Sequence, residues 1–213
     1  MKKTIITIDG PAASGKEKIS KYICKKYKLK HLDSGILYRQ LAFYFFTSRI
    51  DPEDIDLIKK KILKINQVSF RNNKRIRTQK ISKFASKIAT YDCVRLFVNK
   101  LQHDFINKNK KIQGFVIDGR DIGSVVFKNA NLKLYIEVNS EIRAKRRYKQ
   151  LIDSGEKSIY RKILKEIKLR DRQDKLRKNS PLIVPKGAYV ITNNGTFKDT
   201  IKKVIKLVDK HIV

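Results

Sequence analysis

A β-branched run, Thr4-Ile-Ile-Thr-Ile8, passes through Asp9 straight into Gly10-Pro-Ala-Ala-Ser-Gly15-Lys16, and a helical pattern begins at once. Such a run has the composition of a buried strand. A strand that feeds a glycine-bounded loop, ends in Lys and opens a helix leaves few folds available. Glycines at both ends let backbone N–H groups wrap an anion, and the helix N-terminus adds its partial positive charge. Lys16 then neutralises β- and γ-phosphate oxygens. Residues Gly10, Pro11, Ala12, Ala13, Ser14, Gly15 and Lys16 are therefore the candidate triphosphate cradle. The hydroxyl residue expected just after the Lys, the usual Mg²⁺ ligand, is absent; Glu17 and Lys18 stand there instead.

The rest of the chain alternates strands with helices. Ile19, Tyr22, Ile23 and Tyr27 recur at helical spacing, which predicts a helix over 16–26 packed on a sheet. His31–Gly35 reads as a short strand or loop, followed by a helix over 36–49. Asp51-Pro52-Glu53 reads as the start of the next helix, with Ile55, Ile58, Ile62 and Ile65 as its stripe. The segment 68–77 is expected to be a small hairpin around Asn72-Asn73. Helices are expected over 78–89 and 92–108, the second burying Val94, Phe97, Val98, Leu101 and Phe105. Strands are expected at 114–118, 132–138 and 188–192, two basic helices at 141–152 and 159–172, and a closing amphipathic helix from Phe197. This order implies a parallel α/β sheet flanked by helices, with ligands beyond the carboxyl ends of its strands.

With 213 residues, 41% of them hydrophobic, the chain has enough material for one domain with small insertions. No apolar run approaches the roughly 18 residues of a membrane span, and the early break at Asp9 speaks against an export signal. Cys24 and Cys93 lie far apart, without a metal-binding spacing, and read as thiols of a reducing compartment. The formal net charge is +31, which would attract polyanions. Its lysines, however, fall on every expected helix but 36–49 and are not gathered on one face, which is the pattern of compositional drift.

Asp118-Gly-Arg-Asp121 follows a hydrophobic strand. An acid at that position can organise Mg²⁺ through water, and Arg120 can grip phosphate with its planar fork. Arg143, Arg146 and Arg147 cluster on one basic helix, and Arg170, Arg172 and Arg177 alternate with Asp171 and Asp174 on the next stretch. Phosphoryl transfer needs several cations around the migrating group, because its transition state spreads charge over equatorial oxygens. A basic hairpin closing over the site would supply them and exclude water.

Taken together, ITIDGPAASGK (6–16), HLDSGILYR (31–39), ASKIA (85–89), VIDGRDIGSVVF (116–127), IRAKRRYKQL (142–151) and RDRQDKLRKNSPL (170–182) resemble the bacterial cytidylate kinases. The resemblance spans nearly the whole chain. It implies a P-loop nucleoside-monophosphate-kinase fold: a core of about 1–33, 109–140 and 175–213, a monophosphate-binding part of about 34–108 and a lid of about 141–174. It implies ATP and Mg²⁺ as donor and cofactor, and CMP or dCMP as acceptor. Ser34 and Arg39 would lie at the CMP site, with Arg39 on the phosphate, while Ser86, Arg95 and Asp121 would face cytosine. Arg170 and Asp174 would hold the ribose, Arg120 and Arg177 the phosphates, and Arg143, Arg146 and Arg147 would belong to the ATP-side lid. Lys16, Arg120 and Arg177 are the catalytic candidates.

Three departures accompany the resemblance. Glu17-Lys18 replaces the family's Gly-Thr; either Glu17 or Ser14 could then ligand Mg²⁺, or Lys18 could replace part of the metal's charge. The segment before Thr78 is shorter than the β-rich insert of many members. Gln173 stands where a basic residue is common. Two rival readings stay open: a kinase for another small acceptor such as UMP, and a degenerate kinase fold that binds nucleotide or nucleic acid without catalysis. The leading reading expects a cytoplasmic monomer with no specific nucleic-acid partner and no membrane partner.

Overall fold

The computed structural model describes residues 3–65, 74–153 and 155–212. The chain divides into two compact units, Met1–Leu32 with Ile112–Val213, and Asp33–Lys111.

The first unit is built on a five-stranded sheet ordered β2–β3–β1–β4–β5, where β1 is Thr4–Asp9, β2 Lys30–Asp33, β3 Gly114–Gly119, β4 Leu132–Glu137 and β5 Tyr189–Thr192. β1 pairs in parallel with β3 and β4, and β4 in parallel with β5. Parallel strands need crossover helices, and these supply the apolar cover. Helix α1 (Lys16–Tyr27) and the closing helix α8 (Phe197–Ile212) bring Ile19, Ile23, Ile201, Val204 and Val208 against Ile6, Ile8, Val116, Leu134 and Ile136. Tyr22, expected in that stripe, is partly exposed and meets Phe197 edge to face. Helices α6 (Ser140–Asp153) and α7 (Tyr160–Leu176) pack on one another through Ala144, Ile163 and Ile167. Helix α7 outruns its expected end at Arg172, so Arg170, Asp171 and Asp174 all lie on one helix.

The described part of the second unit is helical: α2 (Ser34–Thr47), α3 (Ile55–Leu63), a 3₁₀ turn (Lys74–Arg77), α4 (Gln79–Ile88) and α5 (Asp92–Lys108). The hairpin expected over 68–77 lies outside the described residues up to position 73, and its expected return strand at Lys74–Arg77 is the 3₁₀ turn. Helix α3 begins later than expected. The Asp51 carboxylate accepts from the Glu53 amide and closes a turn, while Asp54 caps the helix by accepting from the Leu57 amide at 2.9 Å. Helix α5 keeps its expected bounds but is rotated: Val94, Arg95, Val98, Gln102 and Ile106 are buried, whereas Phe97, Leu101 and Phe105 are only partly so.

Candidate functional site

The parallel register brings the two loops of interest to the same edge. Asp9, the last residue of β1, stands opposite Gly119 of β3, so the glycine loop and the Arg120-Asp121 segment leave neighbouring strands side by side. Gly10 is required at its position, because a Cβ there would lie 2.4 Å from the Ile136 carbonyl oxygen. Gly15 adopts a left-handed φ of 85° and gives α1 no side-chain cap, which leaves the helix's first amides for an anion. Lys16 is buried and folds back over the loop. Its ammonium donates to the Gly10 and Pro11 carbonyls at 2.8 Å each and to Ser14 Oγ at 3.2 Å. Two further residues brace the loop from outside. Asn193 donates to the Ser14 carbonyl at 2.8 Å, and Arg143 Nη1 donates to the Ala12 carbonyl at 3.2 Å.

The two unusual residues after Lys16 are drawn to neighbours. Glu17 Oε1 accepts from Lys21 one turn along at 2.7 Å. The Lys18 ammonium sits 4.1 Å from the centre of the Phe197 ring.

Around the loop the carboxylates orient the arginines. Asp174, on α7, accepts from Arg120 Nε at 3.0 Å and lies 3.7 Å from Arg177 Nη1. Burial raises the Asp174 carboxyl, but Arg120, Arg170 and Arg177 outweigh it and hold the group below its ordinary value. Asp171 receives both arms of Arg143, whose Nε also donates to the Val138 carbonyl at 3.0 Å. Arg143 is thus buried and pinned between α6, α7 and the glycine loop. Arg146 donates to the Asn193 and Gly195 carbonyls, and Arg147 to Gln150 on its own helix. Asp118 pairs with His31 of β2. Asp121 is buried.

The remaining sequence candidates are described within the second unit. Ser34 opens α2 and is buried; Arg39 follows on α2, with its Nη1 3.5 Å from where a Cβ on Gly35 would stand. Ser86, on α4, is partly buried. Arg95, on α5, is buried, donates to the Ala89 carbonyl at 3.0 Å and lies over the Tyr38 ring. The sequence reading missed Asp9, His31, Asp171 and Asn193. Asp9 alone carried a local signal, as an acid at a strand's carboxyl end.

Within the described residues, no cluster of three His, Cys, Asp or Glu could hold a metal, and no helix is long and apolar enough to cross a membrane. Cys24 is a partly buried thiol, pushed up to about 12 chiefly by that burial, which disfavours the reactive thiolate.

Comparison with known proteins agrees with this geometry. A family model described as cytidylate kinase matches residues 6–210. A cytidylate kinase of Rickettsia africae (strain ESF-5) is 40% identical over 207 residues, covering 97% of this chain and 90% of that protein. A cytidylate kinase of Rickettsia felis (strain ATCC VR-1525 / URRWXCal2) is 42% identical over 186 residues, covering 87% and 82%. The crystal structure of TT1252 from Thermus thermophilus covers both chains fully with a TM-score of 0.54 at 16% identity, a likeness of fold. A glycine loop beside an arginine-bearing turn on one sheet edge, and a match running through nearly every element, place the chain in the cytidylate kinase family.

Proposed function

We infer that the chain transfers the γ-phosphate of ATP to CMP or dCMP, giving ADP and CDP or dCDP. The observation that carries this reading is the shared edge of β1 and β3, where the Lys16 loop and the Arg120-Asp121 turn start level with each other. A phosphate acceptor needs little covalent chemistry from the protein; it needs positioning and positive charge. Lys16 already offers its ammonium to loop carbonyls, which a triphosphate tail can displace. Arg120 and Arg177, held on Asp174, supply charge for the phosphates, and Arg146 and Arg147 with the pinned Arg143 form the ATP-side basic helix. In this reading Asp121 accepts from the cytosine amine, with Ser86 and Arg95 on the remaining ring edge; Arg39 and Ser34 take the monophosphate end, and Arg170 and Asp174 the ribose. A CMP phosphate oxygen then attacks the γ-phosphorus in line, with ADP as leaving group and no covalent enzyme intermediate.

The donor set suits a Mg²⁺ that arrives on the nucleotide. Such ions take one or two protein oxygens and complete their shell with phosphates and water. Ser14 Oγ, on the glycine loop beside Lys16, would be the protein oxygen it takes, since Glu17 pairs with Lys21 and the Lys18 ammonium sits over the Phe197 ring. When bound, the ion neutralises β- and γ-phosphate oxygens. The second unit serves as the monophosphate-binding part and the stretch 141–174 as the lid. The protein works as a cytoplasmic monomer without a specific nucleic-acid partner; lysines spread over seven of the eight helices, rather than gathered on one, support the last of these.

Lys16→Ala and Arg120→Ala are expected to lower ADP release with CMP by at least about a hundredfold while retaining the wild-type circular-dichroism spectrum. Near-normal turnover in either variant contradicts the assignment.

A further inference from the structure

Asp9 takes no part in the chemistry above, yet it is fully buried at the end of β1. Its two carboxylate oxygens accept separately: Oδ1 from the Ile122 amide at 2.8 Å and Oδ2 from the Gly123 amide at 2.7 Å. These amides open the short π-helical turn Ile122–Val126 that follows Arg120 and Asp121 directly. The fit around them is close. A Cβ on Gly123 would lie 2.7 Å from Thr7 Oγ1, 3.2 Å from Asp9 Oδ2 and 3.2 Å from Pro185 Cγ. Thr7 Oγ1, two residues back on β1, has no hydrogen-bond partner of its own. The carboxylate therefore fastens two segments 113 residues apart in sequence, one starting the glycine loop and one carrying Arg120 and Asp121.

We propose that Asp9 is a positioning residue for base selection: its carboxylate fixes the Arg120-Asp121 turn on the phosphate-loop strand and so sets where Asp121 meets the acceptor's base. The inference rests on the kinase reading above. An ionised carboxylate can accept from both amides; a carboxamide can accept from one and must turn its own N–H₂ towards the other. The neutral isostere thus releases one side of the turn without emptying the space.

The physical consequence is selective. Cytosine presents an exocyclic amine that donates to Asp121, whereas uracil presents a carbonyl at the same position and gains nothing from it. A turn that has slipped loses more for CMP than for UMP. A residue that only held the core together would lower both alike.

The test is steady-state ADP release from MgATP with CMP and with UMP, on wild type, Asp9→Asn and Thr7→Val, each checked for folding by thermal melts. For Asp9→Asn we expect kcat/KM with CMP to fall at least about tenfold, the scale of one charge-assisted hydrogen bond, and the CMP:UMP ratio to fall with it. Thr7→Val, which removes a hydroxyl with no partner at the same contact, keeps both values. An unchanged ratio in a folded Asp9→Asn overturns the proposal, whether or not overall activity falls. Should Asp9→Asn fail to fold, Gly123→Ala presses on the contact from the other side. A lowered ratio in that variant supports the proposal; an unchanged ratio, or failure of both to fold, assigns Asp9 to the fold alone. A wild type that releases no ADP with either acceptor defeats the kinase reading itself, and the positioning role with it.

Discussion

Asp9 also has a thermodynamic signature. Burial raises its carboxyl from 3.8 to about 6, against the lowering pull of the Gly123 and Ile122 amides and of Lys16; Asp121 adds to the rise. The folded chain therefore binds this proton more tightly than the unfolded chain does. Its contribution favours folding fully below about 3.8 and is lost as pH rises through about 6. Asp9→Asn removes that dependence. Between pH 3.5 and 7 the stability of wild type relative to Asp9→Asn should fall by about 3 kcal/mol, read from urea unfolding at each pH; a flat difference contradicts the raised value. Residues such as Lys16 announce themselves through local spacing. Asp9 offers only its place at the end of a strand, because its partners arrive from a turn far along the chain. Asn193 and Asp171 escaped sequence reading for the same reason: a buried Asn after a strand, or an Asp among arginines, looks like any solvated turn or ion pair until the fold supplies the carbonyl or guanidinium opposite.

Among the elements, the pair α6 and α7 has a defined staple. Arg143 and Asp171 are both largely buried and paired through two hydrogen bonds, and Arg143 reaches on to Val138 and Ala12. Removing one partner of a buried pair leaves a charge without compensation, which costs about 3–5 kcal/mol. Asp171→Ala should lose that much stability in urea unfolding; a loss below about 1 kcal/mol would place the pair with ordinary surface bridges. Strands and most helices were legible because hydrophobic period and turn residues act locally. Helix α5 kept its bounds, yet its buried face was misread because Arg95 and Gln102 go inside, which an apolar count does not record. The start of α3 was misread for a different reason. Asp51 and Asp54 both offer a carboxylate to a nearby amide, and only the fold decides which closes a turn and which caps the helix.

For the molecule as a whole, family membership, the sheet order and the level start of two loops lead to the same chemistry. The formal net charge of +31 comes with lysines on most of the helices; in the proposed reading, phosphate is met where arginines converge on Asp174 and amides open at Gly15, not wherever lysines are dense. In the proposed reading, the departures at Glu17 and Lys18 bear on how tightly ATP is held, and the acceptor-side candidates lie elsewhere in the chain. The decisive assay is ADP release from MgATP by the purified wild-type chain with CMP, dCMP and UMP supplied separately. Turnover with CMP or dCMP is expected to be at least about tenfold above that with UMP. Equal turnover with all three would contradict cytosine recognition through Asp121, and no ADP release with any of them would contradict the kinase assignment.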